Sequence, residues 1–158
     1  MLIRGRWTLC DDGIFRPVME GELLTSDGSW LPVELLVDVG ADRSVITAGV
    51  LANLALPQLP SPHQLGGVGG AAPTVAVATH LRLPLPGGAS IKFQGSFAAF
   101  TEAEALDMCV LGRDILNLFA VIIDRPGDTV CMIGQGHGYT ITTQPCSRVK
   151  KPKGARLN

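Results

Sequence analysis

The sequence predicts a mainly β domain with one short helix. Three observations carry this. Glycine and proline are both frequent, 19 and 11 of 158 residues, and they punctuate the chain too often for long helices. Apolar runs are short, and several alternate with polar residues, the period of a half-buried strand. Helical spacing is confined to brief stretches, of which Ile115, Leu116, Phe119 and Ala120 are the clearest. The length suits a single domain, placed at residues 1–147 with a core of about 15–134. Residues 148–158 form a basic tail without apolar period, expected to be mobile.

Element by element, Arg16 to Leu24 reads as a first strand. A Ser-Asp-Gly turn follows, and Leu31 to Gly40 returns as a second strand, so the pair makes a hairpin that delivers Asp38 at its far end. Ser44 to Leu56 begins extended and ends in a short helical turn. The prolines of Pro57–His63 make a connector that breaks any helix. The stretch from Leu65 to Pro73 is too rich in glycine to pack a core, and reads as a loop. Thr74 to Leu85 and Ile91 to Phe100 are strands joined by a Gly-Gly turn. "TEAEALDM" is an acidic helical or turn segment. Cys109 starts a buried strand that passes into short helical spacing and back to a strand ending at Asp124. "RPGD" is a turn, and "TVCMIG" a closing strand. Trp7 and Trp30 read as packing residues, and no repeat of fixed period is present.

Composition narrows the function. Apolar residues, 46% of the chain, are enough for a core, and only 17% are charged, which argues against disorder. A net charge of -1 offers no general attraction to nucleic acid or membrane surfaces, so neither partner is expected. No run approaches the roughly 18 apolar residues of a membrane span. The N-terminal residues lack the apolar stretch of a signal peptide, so a cytoplasmic protein is expected. Cys10, Cys109, Cys131 and Cys146 contain no C-x-x-C pair, and His63, His80 and His137 are far apart, so no metal site and no cofactor are expected. The glycine-rich stretch does not open a helix after a buried strand, and Pro73 interrupts it, unlike a dinucleotide loop.

The stretch "LLVDVGADRSVIT", Leu35 to Thr47, ends an apolar strand on a carboxylate. Asp-x-Gly alone is a common turn former. Its context is more specific: the glycine-rich stretch comes roughly 30 residues later, and an apolar-apolar-Gly-Arg-Asp-x-Leu run roughly 45 residues after that. In this order, "VDVGADRSVI", "GGVGG" and "VLGRDILNLFAVIID" resemble the active-site loop, substrate-covering flap and second signature of retropepsin-like aspartic peptidases. The resemblance runs from about Val33 to Ile133.

The resemblance implies a closed β-barrel, one half of an acid protease, that pairs as a homodimer around Asp38. Hydrolysis of a peptide by water needs a base and an acid. Two carboxylates about 3 Å apart share one proton and supply both, with apparent pKa values that belong to the pair. One Asp-x-Gly loop per chain requires a second copy across a two-fold axis. The resemblance further assigns Gly40, Ala41 and Asp42, with Gly67, Val68 and Gly69 of the flap, to binding an extended polypeptide. Asp42 would also pair with Arg113, and Val39, Gly112, Arg113 and Asp114 would support the site. On their own, Gly112 suits close packing, and Arg113-Asp114 a solvated helix start.

Val39 departs from the family, which has threonine or serine there with a hydroxyl that bonds across the axis. Valine keeps the shape and loses the bond, worth roughly 0.5–1.5 kcal/mol per copy, so a looser dyad and weaker dimer are expected. An alternative function therefore stands beside the endopeptidase: a dimeric peptide-binding or scaffolding domain on the same fold, with weak or no catalysis. An unrelated small β-barrel module is the third reading.

Overall fold

The computed structural model describes residues 1–61, 65–67 and 70–134. Val68, Gly69, His63, His137, Cys146 and the tail from 148 lie outside the described residues. In chain order the strands are β1 (Leu2–Arg4), β2 (Arg6–Leu9), β3 (Phe15–Leu24), β4 (Trp30–Val37) and β5 (Val45–Ile46). Helix α1 (Ala48–Leu54) follows, then β6 (Gln58–Pro60), β7 (Leu65–Gly67), β8 (Gly70–Ala72), β9 (Thr74–Pro84) and β10 (Ser90–Phe100). A 3-10 turn at Ala103–Ala105 leads to β11 (Cys109–Leu111), the single-turn helix α2 (Arg113–Leu116), β12 (Phe119–Asp124) and β13 (Thr129–Gly134).

Six strands close a barrel, in the order β3, β4, β11, β5, β10, β9 and back to β3. Alternation builds its core. Val33, Leu35 and Val37 of β4 point inward, as do Val77, Leu81 and Leu83 of β9, and the residues alternating with them are polar or less buried. Phe97, Ala98 and Ala99 of β10 are all buried, at the stretch where β10 takes β5 as a second neighbour. The β3–β4 hairpin pairs Met19 with Leu35 and Leu24 with Trp30. Its turn is fixed by Asp27, whose carboxylate accepts from the Thr25 hydroxyl and, at 2.9 Å, from the Ser29 N–H. These bonds, the Thr25 hydroxyl's first, lower the Asp27 pKa to about 2. Helix α1 is capped by Thr47, whose hydroxyl accepts from Val50 N–H at 3.3 Å.

Three features differ from the sequence expectation. The N-terminal residues, given no element, form β1 and β2: β1 pairs with β13 at the other end of the described chain, and β2 with β3. The proline connector contains β6, an exposed edge strand on β9, where a missing N–H facing outward costs nothing. The described parts of the glycine-rich loop pair as a ladder, β7 with β8. Elsewhere the expected hairpin, the two long strands, the acidic turn and the closing strand are present. The RPGD turn is held by Asp124, which accepts from Gly127 N–H at 3.1 Å. Trp7 packs on the core edge and donates to the Asp124 carbonyl at 3.3 Å, and the Arg82 guanidinium lies 4.1 Å above the Trp30 ring. Among the described residues no helix is long and apolar enough to cross a membrane.

Candidate active site

Two strands, β4 and β5, flank β11 on opposite sides. Leu111 pairs with Val37 in parallel, and Val110 pairs with Val45 antiparallel. The loop 38–44 must therefore cross over the end of β11, and Asp38 sits at the start of that crossing. Backbone bonds fix the loop: Asp38 N–H donates to the Leu111 carbonyl at 3.2 Å, and Arg113 N–H to the Ala41 carbonyl at 2.8 Å.

Asp38 is half-buried. Its Oδ1 accepts from the Gly40 N–H at 2.8 Å, and its backbone carbonyl from the Ala41 N–H at 3.2 Å. Its Oδ2 has no protein partner among the described residues. A side chain at Gly40 would begin 3.1 Å from Oδ1, tight enough to disturb that oxygen. Val39, next to it, is 56% exposed, unusual for so apolar a residue beside a polar turn.

The underside of the loop is held by buried Ser44 and Gly112 together with the Asp114 carboxylate. Ser44 is 3% exposed. Its N–H and hydroxyl both donate to Asp114 Oδ1, at 2.9 and 2.8 Å, and its hydroxyl oxygen accepts from the Gly112 N–H at 3.0 Å. Asp114 also accepts from the Ile115 N–H at 3.0 Å, so one carboxylate oxygen joins α2 to the loop. Gly112 lies so close beneath the loop that a Cβ there would overlap the Arg43 carbonyl and sit 2.8 Å from Ser44 N. Ser44 was missed by the sequence reading. The available signal was a small polar residue between Asp42-Arg43 and the buried pair Val45-Ile46.

On the outer side, Asp42 and Arg113 form an ion pair. Both side chains are exposed, Arg113 49% and Asp42 79%, so the pair is a surface contact of the chain. Of the other named residues, Gly67 lies at the end of β7, opposite Gly70 in the ladder. Below the loop, Cys109 is buried, and burial pushes its thiol pKa up, which keeps it protonated and unreactive. Among the described residues no three His, Cys, Asp or Glu side chains gather as metal ligands.

A six-stranded barrel with an Asp-x-Gly turn crossing a strand and a Gly-Arg-Asp segment beneath it defines the aspartic proteases of retropepsin type. The family model for aspartyl proteases matches residues 24–115, more than half of the chain and all of this site. The chain belongs to that family. Among solved structures it is similar to EIAV protease complexed with the inhibitor HBY-793, at 25% identity and a TM-score of 0.50, over 65% of this chain and 86% of that one. It also matches a retropepsin-like aspartic protease from Rickettsia conorii, at 16% identity and a TM-score of 0.47, over 84% of this chain and 88% of that one. A third match is the retroviral protease-like domain of Ddi1 from Leishmania major, at 14% identity and a TM-score of 0.40, over 75% and 96% of the two chains. None of the curated proteins matches it.

Proposed function

We propose that this chain is an aspartic endopeptidase that acts as a two-fold homodimer, with Asp38 of each copy meeting at the axis. The observation that carries the reading is the Asp38 turn: one per chain, rigidly mounted, with one carboxylate oxygen unengaged and Val39 exposed beside it. Two such turns brought together make a pair of carboxylates that holds one proton. The ionised member takes a proton from water as the water oxygen bonds to the peptide carbonyl carbon. The protonated member gives its proton to the carbonyl oxygen. The tetrahedral gem-diol then collapses: the C–N bond breaks, the protonated member gives its proton to the leaving nitrogen, and one hydroxyl returns its proton to the other member, which restores the one-proton pair. An extended polypeptide would lie along Gly40, Ala41 and Asp42, beneath the β7–β8 ladder acting as a cover with Gly67, Val68 and Gly69.

Digestion of a mixed peptide library between pH 4 and 7, with wild type and Asp38→Asn, tests this. Cleavage should peak on the acid side of neutrality and vanish in the variant. Equal cleavage by Asp38→Asn would remove Asp38 from the chemistry. Sedimentation at rising concentration should show monomer and dimer, with activity following the dimer.

A second reading rests on Val39. Without a hydroxyl there, each copy loses a bond across the axis, and the domain would bind peptides as a dimer with weak or no hydrolysis. Peptide binding by wild type without any cleavage selects this reading.

A further inference from the structure

We infer that Arg43 makes one side-chain subsite of this protein selective for an acidic residue, Asp or Glu, in the bound peptide. The inference rests on the peptide-binding site proposed above and deepens it. A cavity of about 230 Å³ opens beside the crossing loop. Arg43 of the loop, Ser61, Leu65 of β7, Ala76 of β9, and Ser96, Phe97 and Ala98 of β10 line it. It therefore lies between the loop that carries Asp38 and the ladder that would cover a peptide. Its volume suits one long side chain rather than a length of backbone.

The charges around the loop are unequal. Asp42 is already paired with Arg113. Arg43, the next residue, is exposed, and no carboxylate pairs with it among the described residues. It is the one charged residue in the described wall of the cavity. Its backbone is nonetheless fixed, with its carbonyl packed over Gly112 and the following N–H bonded to Asp114. A guanidinium on an anchored stem, at the edge of a pocket of mixed lining, meets a carboxylate through two parallel N–H···O bonds. Leu65, Ala76, Phe97 and Ala98 shield one side of that contact from water, and Ser61 and Ser96 supply polar surface beside it. The larger cavity on the β3–β4 wall offers no such charge: its Glu20 and Glu34 are paired with Arg6, and its Glu22 with Arg82.

The experiment compares peptides that differ only as Glu against Gln, or Asp against Asn, at each position flanking the scissile bond. They are offered as substrates to wild type and as ligands to Asp38→Asn. Wild type should favour the acid by about tenfold at one position, the strength of a charge-assisted bond discounted for an exposed arginine. In Arg43→Gln the acid-to-amide ratio should fall to near one, and in Arg43→Glu the preference should pass to Lys at the same position. Unchanged melting of both variants separates selectivity from folding. The inference is overturned if no position favours an acid in either assay, or if the preference survives in Arg43→Gln. Should cleavage be absent while acid-selective binding still depends on Arg43, the subsite stands and the hydrolytic reading falls.

Discussion

Beyond its backbone bond from Arg113 to Ala41, the loop 38–44 is tied to the segment 112–115 by two carboxylates, and the two ties differ in setting. Ser44, itself buried, meets the carboxylate of Asp114 through two directional bonds in a part-buried setting. Asp42 and Arg113, flanking them in sequence, meet outside, where solvent screens the attraction. The difference teaches that the inner tie sets the loop's shape and the outer tie does not. In the free chain the outer pair adds little stability, and its charges remain available to whatever approaches that face.

The comparison breaks most severely at Gly112. Its replacement by Ala would drive a methyl group into the Arg43 carbonyl, with backbone on both sides and nothing flexible to yield. Gly112→Ala should cost about 3 kcal/mol or more, seen as a lower urea midpoint at unchanged slope. Ser44→Ala comes next. It removes a donor to Asp114 and strands the Gly112 N–H, so a loss of about 2 kcal/mol in the same measurement is expected.

Val39→Thr probes the exposed face of the same loop. On the dimeric reading it restores a bond in each direction, at about 1 kcal/mol per bond, and the dimer dissociation constant should fall on the order of tenfold or more. Turnover should rise with it, whereas Val39→Ala should raise neither. Sedimentation and peptide assays check both. The smallest effect belongs to the outer tie. Arg113→Ala should shift the unfolding free energy of the monomer by about 0.5 kcal/mol, less in high salt. A loss of several kcal/mol would show that the pair is shielded in solution, and the inner–outer contrast would fail.

Much of this was legible in the sequence because it is local. The β3–β4 hairpin announces itself by alternation on both sides of a Ser-Asp-Gly turn, and β9 and β10 by long apolar periods. Asp38, Gly40 and Gly112 stand out through a motif whose parts keep their order, and the structure brings them to one crossing loop and the segment beneath it. The partnership of Asp42 with Arg113 came from the resemblance, but not its exposure, since depth depends on how the rest of the barrel closes. What the sequence hid is non-local. Three residues, Leu2–Arg4, carry no period of their own and become a strand only because β13 lies alongside. Ser44 looks like any loop serine until its partners, 68 and 70 positions away, are known. The prolines of residues 57–63 read only as a helix-breaking connector, and β6 forms there because an edge strand tolerates Pro60.

The insertion of β11 between β4 and β5 also has a kinetic side. Those two strands are separated only by the loop 38–44, close enough to fold back on each other as a hairpin. The native arrangement requires that they stay apart until a segment roughly 70 residues later arrives to take the place between them. Closing so long a span costs entropy before any contact repays it, so the crossing is expected to form late and slowly. Helix α2 and Asp114 arrive with that same segment. The surroundings of Asp38 are thus a property of the finished barrel, and a chain halted before residue 116 would carry the aspartate without its setting.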